Sequence, residues 1–116
     1  MINRAVLLLK YKEAAIRWIN EADPSDDIPG ITLEEANEER IVYLIPEDVA
    51  ESPQALRSWV QLNLDALFVN ELEGWYTEES LWPKKRNMKL FDQWFDLECH
   101  TIVINTHSSP IIDDDI

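Results

Sequence analysis

The chain has 116 residues, 46% hydrophobic and 28% charged, with 23 Asp and Glu against 10 Lys and Arg and a formal net charge of -13. That composition is globular, and the length suits a single domain, residues 1–116, around one hydrophobic core. The charge argues against duplex nucleic acid as a partner, because such binding rests on Lys and Arg displacing counterions from phosphate; cations and basic proteins suit this surface better.

The first apolar run, Ala5 to Leu9, is short and rich in branched residues, and reads as a strand. It falls far short of the roughly 20 residues that span a bilayer and no small-residue cleavage site follows, so no membrane segment or secretory leader is expected. Next, Ala14, Ala15, Trp18, Ile19 and Ala22 recur at helical spacing until Pro24 stops the pattern. Thr32 and Glu35 form a capping box that starts one or two further turns through Leu33 and Ala36. Residues 21–39 hold eight acids and no Lys or Arg. Such a stretch either steers a basic partner or forms a solvated face. Its DPSDD segment lacks the glycine and the bidentate glutamate of a calcium loop, so no metal is expected there.

Ile41 to Ile45 reads as the second strand. After Pro46, Ser52 caps and Pro53 opens the longest helix, whose stripe of Leu56, Trp59, Val60, Leu64, Leu67, Phe68 and Leu72 ends at Gly74. A second helix after Pro83 carries Met88, Leu90, Phe91, Trp94 and Phe95 and feeds the third strand, Thr101 to Ile104. Residues 107–116 read as an irregular acidic tail. The order β-α-(α)-β-α-α-β gives an α/β or α+β fold with a small three-stranded sheet, mixed or parallel. No strand alternates apolar with polar residues, so helices are expected to cover the sheet. Right-handed crossovers would place the first strand in the middle, order 2-1-3, with a split, ferredoxin-like sheet as the alternative. The expected core joins Val6, Leu8, Val42, Leu44, Ile102 and Ile104 to Trp18, Leu64, Phe68, Phe91 and Phe95.

The stretches RAVLLLKYKEAAIRWINEADP, ELEGWYTEESLWP and LFDQWFDLECHTIVI resemble a family of small, uncharacterised, acidic bacterial proteins of the cytosol. The resemblance covers most of the chain. It implies a bacterial, cytosolic, single-domain protein and brings no activity, cofactor or catalytic residue with it.

The only glycines, Gly30 and Gly74, leave no room for a dinucleotide-binding turn, a Walker loop or a nucleophile elbow, so neither nucleotide nor cofactor is expected. The single cysteine, Cys99, forms no internal disulfide, which suits a reducing cytoplasm. The chain is therefore read as a non-enzymatic interaction or regulatory module whose partner is a protein or a second copy of itself. Its expected contact residues are Trp75, Tyr76 and Trp82 beside Lys84, Lys85 and Arg86, since aromatics at a helix break next to concentrated charge make a recognition surface. The competing reading of the same loop is a lid whose rings cap the core. The alternative function is a small enzyme with an acid/base or divalent-metal site at Glu98 and His100, joined by His107; Asp96, Cys99 and Asp113 to Asp115 lie nearby in sequence. Cys99 and His100, as strand neighbours, point to opposite faces and cannot serve each other.

Overall fold

The computed structural model describes residues 1–23 and 30–113. Asp26, Asp27 and the tail residues Asp114 and Asp115 lie outside the described residues. The described chain runs β1 (Arg4–Tyr11), α1 (Glu13–Glu21), α2 (Leu33–Ala36), β2 (Tyr43–Pro46), α3 (Pro53–Leu62), α4 (Leu64–Glu73), α5 (Met88–Trp94) and β3 (Phe95–His100), with 3-10 turns at Glu47–Ala50 and Glu79–Leu81. The fold is mixed α+β, and no helix among the described residues is long and apolar enough to cross a membrane.

β1 does occupy the middle of a three-stranded sheet, order β2-β1-β3, but both of its neighbours run antiparallel to it. This corrects the mixed or parallel expectation. A parallel crossover presumes one helix between strands. Among the described residues two helices separate β1 from β2 and three separate β2 from β3, so the chain can return to either end of the sheet.

The third strand is also displaced. It covers Phe95–His100, starting where α5 stops, and Thr101 to Ile104 continues beyond it without joining a ladder. One bond, Ile2 N–H to the Val103 carbonyl at 2.8 Å, holds that extension.

Capping chemistry sets the helix starts. Thr32 Oγ1 accepts from Glu35 N at 3.1 Å while Glu35 Oε1 accepts from Thr32 N at 3.0 Å, completing the reciprocal box. Ser52 Oγ accepts from Ala55 N ahead of Pro53, and Asn87 Oδ1 accepts from Leu90 N to open α5. The long helix expected from Pro53 to Gly74 is two helices. Asn63 leaves helical geometry (φ -110°, ψ 17°) and its Nδ2 donates to the Trp59 carbonyl at 2.9 Å, an alternative bond of the kind that interrupts helices.

The helices cover one face of the sheet. Ala5, Leu7, Leu9 and Tyr11 of β1 point into the core with Ile45 and Phe95, over a ring cluster in which Phe68 meets Phe91, Trp94 and Phe95 at centroid distances of 5.6, 5.8 and 5.7 Å. Phe68, Phe91 and Phe95 are buried as expected, and Trp18 and Leu64 pack against the core. The strand residues chosen for the core have the opposite phase. Val6 and Leu8 are only half-buried, Val42 is 55% exposed, Leu44 50% and Ile102 73%, and Ile104 is exposed as well. They belong to the uncovered face or to the extension after β3.

Candidate functional site

The side chains that stand out chemically meet where β1, β2 and α4 come together. Glu71 on α4 is 5% exposed and is the one charged residue in the core of the described chain. Tyr11, the last residue of β1, donates to Glu71 Oε1 at 2.7 Å, and Tyr43, the first of β2, donates to Oε2 at 2.5 Å. Trp75 Nε1 in turn donates to Tyr11 Oη at 2.8 Å, and its ring lies 6.0 Å from the Tyr11 ring. Burial raises the Glu71 carboxyl above its ordinary range, more strongly than the two phenols pull it back. Burial first, and the facing carboxylate second or third, push both phenols far above theirs, so Tyr11 and Tyr43 stay protonated donors.

Asn37, just after α2, fixes the wall of this site. It pairs with Tyr11 as a strand would: its Oδ1 accepts from Tyr11 N at 2.9 Å and its Nδ2 donates to the Tyr11 carbonyl at 3.3 Å. The last backbone pair between β1 and β2 is Leu7 with Tyr43, so Asn37 takes over where β2 has no residue to offer. This places the acidic turn after α2 beside Trp75. A cleft of about 470 Å³ results, floored by Glu71, Tyr11 and Trp75, rimmed by Glu35, Glu38 and Glu39, and flanked by Ile31 and Ile41. No Lys or Arg is among the described residues that line it. A carboxylate has about four acceptor positions, and two phenols fill two of them on Glu71. Remaining acceptor capacity, an indole ring and three exposed carboxylates suit a positively charged group.

The expected contact loop is placed differently. Trp82 is 6% exposed and spends its N–H on the Tyr76 carbonyl at 2.8 Å, while Tyr76 sits edge-on to Trp18 and donates to the Ile19 carbonyl. Trp75 turns toward the cleft, so the three rings do not form one surface. Arg86 pairs with Asp65 at 2.8 Å, and Lys84 and Lys85 are exposed.

Glu98 and His100 do meet on the open face of the sheet, with Nε2 and Oε2 2.9 Å apart, and Arg40 reaches across β1 to Glu98 at 3.1 Å. His100 and Arg40 hold the Glu98 carboxyl below its usual range, which makes it a weak base. His107 lies in the exposed tail, with its N–H on Asn105 Oδ1, and no group of three or more His, Cys, Asp or Glu among the described residues is arranged to hold a metal ion. Cys99 faces the covered side of the sheet, opposite Leu7, and burial pushes its thiol up, disfavouring the thiolate.

Glu71, Tyr11 and Tyr43 were not singled out from sequence, yet a signal exists. Glu71 follows Leu67 by four and Phe68 by three, so it stands on the apolar stripe of its helix, where an acid demands partners. No family model, no curated protein and no solved structure matches the chain.

Proposed function

We propose that the chain is a non-enzymatic, cytoplasmic interaction module that takes a cationic side chain of a basic protein partner, arginine or lysine, into the Glu71 cleft. The observation that carries this is a buried carboxylate and an indole at the floor of a cleft whose rim is acidic and whose described lining contains no cation to compete. The rim carboxylates of Glu35, Glu38 and Glu39 raise the local concentration of positive charge, and the floor supplies the contact. The single cysteine supports a reducing compartment.

Titration calorimetry with a short arginine-rich peptide tests the proposal. The wild type binds, a Glu35→Gln, Glu38→Gln, Glu39→Gln variant binds about tenfold or more weakly, and added salt weakens both, since a large part of the attraction is screened. A wild type that gives no heat and no saturation with such peptides at low salt refutes it.

A further inference from the structure

We propose that the uncovered face of the sheet, together with residues 101–112 after β3, is a self-association surface on which a second copy of this chain docks as a two-fold pair. Among the described residues, most of the exposed large apolar side chains gather there. Apart from Met1, Ile41 and Leu62 they are Val42 and Leu44 at β2 and Ile102, Ile104, Ile111 and Ile112 beyond β3. Strand alternation adds Val6 and Leu8, which sit directly opposite Leu44, His100 and Glu98. A sheet with apolar residues on both faces is built to be covered on both faces.

Charge selects the occupant. Arg4, Lys10 and Arg40 stand on or over the sheet against Asp96 and Glu98, so the sheet face is close to neutral in a chain whose net charge is -13, and the segment that extends it carries no acid before Asp113. The acidic rim of the cleft lies on the helix-covered side. Two such chains repel at most orientations and meet at least cost through this face. A basic partner gains nothing on the sheet face, which has no excess of carboxylates.

Area explains why the tail takes part. Strands of eight, four and six residues, about 4.8 Å apart and rising about 3.4 Å per residue, present roughly 300 Å² of face. That is well under half of the roughly 800 Å² each partner gives to a standard interface, and the isoleucines after β3 supply further surface. The pair is an apolar centre with a charged border, as interfaces between copies commonly are.

Sedimentation velocity across a concentration series, at about 0.05 and about 0.5 M salt, is the test. The wild type dimerises, more tightly at the higher salt, because screening relieves repulsion between the two acidic chains. Leu44→Glu weakens the dimer about tenfold or more. An Ile102→Ser, Ile104→Ser variant also weakens it, and because those residues lie outside any helix or strand, circular dichroism stays native. Lys84→Ala, Lys85→Ala leaves the association unchanged. A wild type that remains monomeric at every concentration and both salts overturns the proposal, and so does a dimer that tolerates Leu44→Glu and the isoleucine variant alike.

Discussion

Glu71 sets the terms of the cleft at the scale of single residues. Its folded carboxyl holds a proton to higher pH than an ordinary glutamate, because burial disfavours the charge. The native state therefore binds more protons than the unfolded chain above the ordinary Glu value of 4.5, and this group's contribution to stability falls as pH rises from there through its raised folded value. Glu71→Gln lacks that titration. The stability of the wild type relative to Glu71→Gln, measured by urea unfolding, is expected to decline between pH 4.5 and neutrality. A difference that stays flat or grows over that range contradicts the burial argument. Asn37 is the second residue on which the site depends, since it alone satisfies the Tyr11 amide. Asn37→Ala leaves that amide without its partner and should cost about 1–3 kcal/mol in the same measurement, with loss of peptide binding as the rim shifts.

At the scale of elements, Phe68 ties α4 to α5 and β3 through three ring contacts. Phe68→Ala is expected to destabilise by about 3–5 kcal/mol in chemical denaturation, whereas an unchanged midpoint would remove α4 from the centre of the core. The caps at Thr32 and Ser52 were legible in the sequence because capping is local chemistry, with donor and acceptor three residues apart. Strand phase was misread for an equally physical reason. Within Ala5 to Leu9 both faces are apolar, so the run alone does not say which faces the helices. Extended to Arg4–Tyr11 it does: Arg4 and Lys10 share a parity with Val6 and Leu8, leaving Ala5, Leu7, Leu9 and Tyr11 for the core. β3 alternates outright, with Phe95, Leu97 and Cys99 opposed to Asp96, Glu98 and His100, but the helical spacing of Phe91, Trp94 and Phe95 masked it. The antiparallel direction of the sheet is not a local property. It depends on how several helices pack between strands, and no window of sequence contains that information.

Across the whole molecule the two faces of the sheet divide the chemistry. The helix-covered side carries the acidic cleft, with Tyr11, Glu71 and Trp75 at its floor, and the uncovered side carries a near-neutral apolar face. The net charge of -13 was legible in the sequence, yet counting charges did not say where the carboxylates gather. That took the pairing of Asn37 with the end of β1, a long-range contact between residues 26 apart in sequence. Occupation of the cleft and association through the open face are compatible, because they use opposite sides of one sheet. The indole N–H resonance of Trp75 reports directly on occupation of the cleft, since that N–H is bonded to Tyr11 at the cleft floor. On titration with an arginine-rich peptide, the Trp75 indole signal in a nitrogen-proton correlation spectrum is expected to shift and saturate. The signals of Trp82 and Trp94, both buried in the core, should stay in place. A Trp75 signal that does not move while peptide binds elsewhere, or no change in any indole at saturating peptide, contradicts the account.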